Sequence, residues 1–337
     1  MNAFLLAFFL ILSSPSRIYR TEVQGVIGPV VAEFLTKTID RAQGEGAHLI
    51  VIKLDTPGGL DESMRIIVKK MLNSRIPICI YVAPPGARAA SAGVFITAAA
   101  HVAAMAPGTN IGAAHPVSMG QKMDSTMIEK VTNDAVAYMK SIARKRNRNE
   151  KWLERSVRES ESITSEEALK LGVIDLIASD FDELLRKLDG RKIALDGDTV
   201  TLRTADAEVV EVKMGLRERL LSILTNPNIA YILLILGFYG LFFELSHPGA
   251  ILPGVVGAIS IILAFYSLQT LPVNYAGLLL IVLAMVLFFA ELHIQSHGLL
   301  GLGGAVSFFL GSLMPVSYTH LRAHETSLHL VCRLLLE

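Results

Sequence analysis

Cysteine is almost absent from this chain of 337 residues: there are two, tryptophan occurs once, and charged residues make up only 18%. With Cys79 and Cys332 alone, neither a disulfide framework nor a four-cysteine zinc site can be built. Charge of either sign is scarcest in the second half, where no Lys or Arg stands between Leu220 and Val316 and the acids are Glu244 and Glu291. Lys+Arg and Asp+Glu balance at 31 each, so neutrality averages a charged, mixed half and a long apolar half that water would not dissolve. No basic cluster exists beyond Arg144-Lys-Arg-Asn-Arg148, which argues against nucleic acid as a partner, since such binding rests on phosphate neutralisation. A hydrophobic content of 52% excludes disorder.

The chain opens on a short apolar run, Met1 to Leu12, followed by Ser13-Ser-Pro-Ser16. That fits the apolar core and small-residue exit of a secretory signal over residues 1–16 better than a spanning helix. No Lys or Arg precedes the run, so charge placement does not itself force export. From about Val23 to Gly190, apolar strands alternate with amphipathic helices, the pattern of an α/β domain. The expected helices are Val30 to Ala42, Leu60 to Ser74, Ser91 to Ala100 and Thr126 to Arg146. The expected strands are His48 to Leu54, Ile76 to Val82, His101 to Met105 and Val173 to Ile177. Thr164-Ser-Glu-Glu167 is a capping box that opens a further helix ending at Gly172. Lys192 to Lys213 reads as a small β-hairpin with its turn near Asp196-Gly-Asp198. No internal repeat is apparent.

The apolar half divides at its Pro, Gly and polar residues into Ile229 to Leu245, Ala250 to Leu268, Tyr275 to Leu292 and Leu299 to Val316. Each approaches the length needed to cross ~30 Å of hydrocarbon at 1.5 Å per residue, so about four spans are expected in residues 227–316. Glu244 and Glu291 fall at span ends, where an interfacial carboxylate is the simple reading and a proton pathway the sharper one. From Ser317 the composition breaks abruptly, and residues 317–337 read as a non-native tail or a short extension.

Two strands of the first half run into glycine-bearing loops, Leu54-Asp-Thr-Pro-Gly-Gly-Leu60 and Pro84-Pro-Gly-Ala-Arg-Ala-Ala-Ser-Ala-Gly93. Glycine at a strand exit lets backbone N–H groups approach a ligand, as an oxyanion hole or a phosphate cradle requires. Neither loop has a nucleotide-binding glycine pattern. Ser91 has only small neighbours and lies at an expected helix start, where partial positive charge favours an anion. A serine among alanines can equally be packing or an N-cap, and it needs a base before it attacks a carbonyl. Neither the hydrolase elbow nor the penicillin-type motif applies here. Asp55 reads as a loop former and Cys79 as inert strand filling.

The sequences D-T-P-G-G (Asp55 to Gly59), G-A-R-A-A-S-A-G (Gly86 to Gly93), M-A-P-G-T-N-I-G-A-A-H-P-V (Met105 to Val117), E-K-V-T-N-D-A-V-A-Y-M-K-S-I-A (Glu129 to Ala143) and H-P-G-A-I-L-P-G (His247 to Gly254) occur in that order. Together they resemble the NfeD family, membrane-bound serine proteases related to ClpP and signal peptide peptidase A. The resemblance runs from about Val26 to Leu313. It implies a ClpP/crotonase-type β-α spiral over residues 21–200, a β-hairpin and linker over 201–226, and then the membrane helices. It implies peptide hydrolysis by a Ser-Lys dyad, with the nucleophile on Ser91 and the lysine on Lys130. Lys140 is the rival lysine. On a helical wheel the apolar stripe is Ile128, Val131, Ala135, Tyr138, Met139 and Ile142, and both lysines fall well off it, so the preference for Lys130 rests on the motif. A lysine base must lose its proton near neutral pH, which a closed cleft promotes.

His115 is a second candidate base or a helper, at a separation from Ser91 similar to that of the ClpP triad histidine. For the oxyanion hole the expected donors are the N–H groups of Gly59 and Ala92, with Gly58 letting the loop turn. The resemblance further implies apolar peptide substrates, a stomatin-like protein as substrate or partner, membrane lipid around the spans, a homo-oligomer and a protease domain outside the cytoplasm, while the small β-barrel that family members commonly carry after the spans is missing where the tail stands. Nothing in the sequence calls for a metal or a nucleotide cofactor. A scaffold with a silent serine that binds a stomatin-like partner is the competing reading, and a crotonase-like acyl-CoA enzyme a third.

Overall fold

The computed structural model describes residues 16–117, 124–195, 197–224, 227–246, 251–268, 275–293 and 298–313. The expected signal run and the tail lie outside them. The chain forms two compact units that part at Glu218.

The first unit is built on a six-stranded sheet of β1 (Arg17–Gln24), β2 (Leu49–Asp55), β3 (Ile78–Val82), β5 (Val102–Met105), β8 (Leu176–Ile177) and β11 (Glu208–Val212), in the order β11-β1-β2-β3-β5-β8. Every pairing within it is parallel. A parallel sheet needs cover on both faces, which is why β2 reads Leu-Ile-Val-Ile without polar alternation. Successive side chains separate accordingly: Ile50, Ile52 and Leu54 join one core, Leu49 and Val51 the other. The first core lies under α1 (Pro29–Gly44), α2 (Asp61–Leu72), α3 (Ala92–Ala99), α4 (Ser125–Lys145) and α5 (Glu150–Arg158), and the second takes in Leu184 and Leu188 of α7 (Phe181–Leu188). Cys79 belongs to that second core, and burial pushes its thiol well above its ordinary value, in keeping with inert filling.

A second, three-stranded sheet joins β4 (Arg88–Ala90), β6 (Asn110–Gly112) and β7 (Ser162–Thr164). The chain therefore alternates between sheets: β3 then β4 lead into α3, and β5 then β6 into α4. This is the repeating β-β-α turn of the expected ClpP/crotonase-type spiral. The capping box is present in both directions, Thr164 accepting from the Glu167 N–H while Glu167 accepts from the Thr164 N–H. It opens α6 (Ser165–Lys170).

Four expectations need correction. The Val173 and Ile174 N–H groups turn back onto the Ala168 carbonyl at 2.9 and 3.3 Å, leaving only Leu176–Ile177 as strand. The hairpin is confined to β9 (Lys192–Leu195) and β10 (Asp198–Thr201). Glu208–Val212 lies parallel to β1, with Arg17 opposite Glu208 and Thr21 opposite Val212. A soluble domain drawn over residues 21–200 thus omits an edge strand and half of β1. The buried face of α4 is Thr132, Ala135, Val136, Met139, Ile142 and Ala143, whereas Ile128 is 41% exposed. The core-facing stripe is rotated from the sequence reading and begins a turn later, because the first turns of α4 stand clear of the core.

The second unit contains α9 (Pro227–Ser246), α10 (Ile251–Leu268), α11 (Tyr275–His293) and α12 (Leu299–Leu313), after α8 (Leu216–Leu224) that leads into it. Ile229–Ser246 is long and apolar enough to cross a membrane, with a mean hydropathy of 1.9, and the other three helices contain shorter apolar stretches. Glycines let the helices pack closely, as small residues do in lipid. A Cβ on Gly257 of α10 would fall 2.9 Å from the Gly237 carbonyl of α9, and one on Gly304 of α12 would fall 3.3 Å from the Ala284 carbonyl of α11. One sequence offset relates these pairs and also Glu244 to Glu291, Gly254 to Gly301 and Ser260 to Ser307. The unit is thus a tandem pair of helical hairpins, a repeat that the uniformly apolar alphabet conceals. Both Glu291 carboxylate oxygens accept at the start of α12, from the N–H groups of Gly298 and Gly301 at 2.9 Å each. This is a capping role, at a helix end whose N–H groups have no intrahelical acceptor.

Candidate active site

The two glycine loops are joined by backbone hydrogen bonds. The Thr56 N–H donates to the Arg88 carbonyl at 2.8 Å and the Ala90 N–H to the Thr56 carbonyl at 3.0 Å, while the Arg88 N–H donates to Asp55 Oδ1 at 3.1 Å. Asp55 is therefore the loop former expected. On the other side of the first loop, the Ile27 N–H donates to the Gly58 carbonyl at 2.8 Å and the Leu60 N–H to the Ile27 carbonyl at 2.9 Å. Buried Thr56 accepts from the Gly58 N–H at 3.0 Å, fixing the turn from inside.

This joining brings Ser91 against Gly58. A Cβ on Gly58 would lie 2.7 Å from Ser91 Cβ and 3.2 Å from Oγ, and Gly58 has φ +121°. Only glycine meets both demands. Gly59 is fixed for a different reason, since a Cβ there would fall 2.1 Å from the Ile27 carbonyl oxygen. Ser91 is the N-cap of α3 with φ 52° and ψ −113°, a conformation costing about 1–3 kcal/mol for a residue with a side chain. The surroundings hold it there: its N–H donates to the Gly112 carbonyl at 3.2 Å. Among the described residues no acceptor takes the N–H of Gly59 or of Ala92, the first residue of α3. Ala92 follows the half-buried serine directly, and Gly59 follows Gly58, against which the serine is packed.

The helices α2, α3 and α4 run in one direction. Near one end Arg65 of α2 pairs with Asp134 of α4, and Phe95 of α3 stacks on Tyr138 of α4 at 6.1 Å. At the other end Arg146, just past α4, donates to the Ala99 carbonyl at 2.8 Å and the Met71 carbonyl at 3.2 Å. Going back from Phe95 leads to Ser91 at the start of α3, and going back from Tyr138 leads to Lys130. The axial mismatch is about 6 Å at 1.5 Å per residue, within the span of a flexible lysine stem. Lys130 is exposed. Lys140 lies on the opposite side of Tyr138 and is committed to Glu154 of α5 at 2.6 Å. Lys140 and then Arg158 hold the Glu154 carboxyl below its ordinary value.

His115 is half-buried, with Nδ1 2.9 Å from the Val157 carbonyl. A carbonyl only accepts, so Nδ1 carries the proton and Nε2 of the neutral ring is left as an acceptor. The loop before it is tied to α5 and to the residue leading into β7, the Ala114 N–H donating to the Ser156 carbonyl at 2.8 Å and the Ala113 N–H to the Glu161 carbonyl at 3.0 Å. Sequence reasoning missed that Gly58 touches the serine, that Gly112 holds its N–H, and that Arg65 links α2 to α4. No local spacing signals the last, since Lys130, four residues before Asp134, is the partner that helix geometry offers.

These features define the class: a ClpP-type α/β spiral domain with a serine at a strained helix start, joined to a helical membrane domain. Residues 17–198 match the NfeD1b N-terminal domain and residues 228–336 the NfeD integral membrane domain, so the latter match continues past residue 313 over most of the compositionally odd segment. The chain is 40% identical over 302 residues to the membrane-bound protease PH1510 of Pyrococcus horikoshii, covering 88% of this chain and 68% of that protein. It is 30% identical over 331 residues to the membrane protein NfeD1b of Bacillus subtilis, covering 92% and 71% respectively. The chain belongs to the NfeD family and is a membrane protein. Among solved structures, it resembles a lysine-to-alanine mutant of the 1510-N membrane-bound stomatin-specific protease in complex with a substrate peptide, with a TM-score of 0.58 and 37% identity over 62% of this chain and 98% of that one. It also resembles the 1510-N membrane protease specific for a stomatin homologue from Pyrococcus horikoshii, with a TM-score of 0.56 and 37% identity over 63% and 100%.

Proposed function

We propose that the protein is a membrane-anchored serine endopeptidase that cleaves apolar peptide segments, with a stomatin-like membrane protein as substrate. Ser91 Oγ attacks the scissile carbonyl carbon and its proton passes to neutral Lys130. The tetrahedral oxyanion is held by the N–H groups of Gly59 and Ala92, each worth roughly 3 kcal/mol. Lys130 then gives the proton to the leaving amine as the C–N bond breaks. Water, deprotonated by Lys130, attacks the acyl-enzyme, and the proton returns to Ser91. The observation that carries this reading is Ser91 held at φ 52° against Gly58, with the N–H groups of the adjoining Gly59 and Ala92 left without an acceptor among the described residues. The common direction of α3 and α4 favours Lys130 over Lys140, which has Glu154 as its partner. His115, oriented through Nδ1, is a helper that lines the cleft and remains the alternative base.

The reading extends to a multi-pass anchor with the protease unit outside the cytoplasm, and to a homo-oligomer. The competing reading is a scaffold that binds a stomatin-like partner without cleaving it. The test is cleavage and binding of an apolar peptide by the full chain in lipid, wild type against Ser91→Ala. Cleavage lost with binding retained is expected in the variant. Cleavage retained in Ser91→Ala overturns the proposal, and binding without cleavage by the wild type establishes the scaffold.

A further inference from the structure

Lys130 is followed one helical turn later by Asp134, the spacing at which a lysine and a carboxylate on one helix meet. Among the described residues no ion pair joins them. Asp134 is instead taken by Arg65 of α2. Arg65 is itself fixed by two further contacts: its Nε donates to Asp61 at 2.8 Å, and its guanidinium carbon stands 4.5 Å over the Tyr138 ring. We propose that Arg65 is a positioning residue that draws Asp134 away from Lys130 and so keeps the lysine available as the base. This inference rests on the Ser91-Lys130 reading of the site.

The physical argument is a competition for one carboxylate. A guanidinium held at two other points loses little freedom in binding Asp134, whereas the flexible lysine stem would have to be ordered. Paired with Lys130, Asp134 would favour its ammonium form, which cannot accept the serine proton. Paired with Arg65, its charge is largely neutralised, and the guanidinium sets a like charge on that side. The other charged groups around α4 are Asp124 at its N-cap and Glu129 within it, Asp61 and Glu62 on α2, and Glu154 and Arg158 on α5, where Arg158 donates to Asn133 at 3.0 Å. Asp55 and His115 stand on the loops around Ser91. Arg158 is shared with Glu154 at 2.9 Å and Asp61 with Arg65. Asp134 is therefore the carboxylate with the spacing to trap the lysine.

The experiment is the pH dependence of kcat/KM for an apolar peptide, measured on the full chain in lipid. In wild type, activity rises with pH as the base loses its proton. Arg65→Met releases Asp134 to Lys130, so the acid limb is expected to move up by about 0.3–0.7 pH units. Asp134→Asn removes the carboxylate and leaves the arginine, so the limb is expected to move down by a similar amount. Arg65→Lys keeps the charge and is expected to restore most of the wild-type position. A clamp that only braced the helices would lower activity in both variants without moving the limb in opposite directions. Unmoved limbs in folded Arg65→Met and Asp134→Asn overturn the positioning role while leaving the dyad intact, provided Lys130→Ala is inactive. Full activity in Lys130→Ala overturns the dyad and this inference with it.

Discussion

Glycine does opposite work in the two units. In the α/β unit, Gly58 lets the first loop turn against Ser91, and Gly59 lets it pass close to the Ile27 backbone. In the helical unit, Gly237, Gly257 and Gly304 remove side chains so that apolar helices touch. Charge divides the same way: the ion pairs among the described residues lie between Arg17 and Lys213, while the second unit spends its Glu291 carboxylate on a helix start. Water screens and solvates the first unit, so charge there tunes and fastens. Lipid solvates neither charge nor free backbone; in the second unit Glu291 caps a helix start, while Glu244 Oε2 is buried with no hydrogen-bond partner among the described residues.

The largest expected effect is at Gly58. Gly58→Ala sets a methyl 2.7 Å from Ser91 Cβ at φ +121°, and cleavage should fall by at least about 10²-fold, with stability lowered by about 1–3 kcal/mol. Kinetics beside a melting curve would separate the two. Gly257→Leu should do the reverse. Its side chain begins 2.7 Å from the Leu241 nitrogen, so overpacking should cost about 1–3 kcal/mol, while peptide cleavage by detergent-extracted protein stays within about twofold. Equal loss of activity in both variants would break the contrast between the units.

Caps allow a finer comparison. Glu291→Ala strips the acceptor from two N–H groups at the start of α12, and Thr164→Ala opens the capping box of α6. Each should lower stability by about 1 kcal/mol, read as thermal shifts of the full chain in detergent. A much larger loss for Glu291→Ala would show that the apolar setting magnifies the cap. The smallest effect is expected for Lys140→Met, which breaks a surface pair with Glu154 worth at most about 1 kcal/mol and should leave kcat/KM unchanged.

Much of this was legible where the signal is local. The strands β2 and β3, the helices α2 and α4 and the Thr164 box follow from periodicity and capping chemistry. Ser91 stood out by its small neighbours. What escaped depends on remote partners. Glu208–Val212 looks like the return of a hairpin, because a parallel partner almost two hundred residues away leaves no mark on local pattern; β1 itself was obscured by its place after the apolar opening run. A helical wheel could not separate Lys130 from Lys140, as both lie off the apolar stripe; the pairing of Lys140 with Glu154 on another helix leaves no mark on a wheel. The tandem hairpins escaped because the apolar alphabet is nearly uniform, leaving a few Glu, Gly and Ser positions to carry the repeat.

The central claim is that Ser91 is a nucleophile activated by Lys130. It is tested most directly by reacting the folded full chain with a fluorophosphonate and mapping the adduct by mass spectrometry, in wild type, Lys130→Ala and His115→Ala. The account predicts a single adduct on Ser91, formed at least about 10²-fold more slowly without Lys130 and within a few-fold of wild type without His115. An unlabelled Ser91, or labelling that survives loss of Lys130 and vanishes with His115, would contradict it.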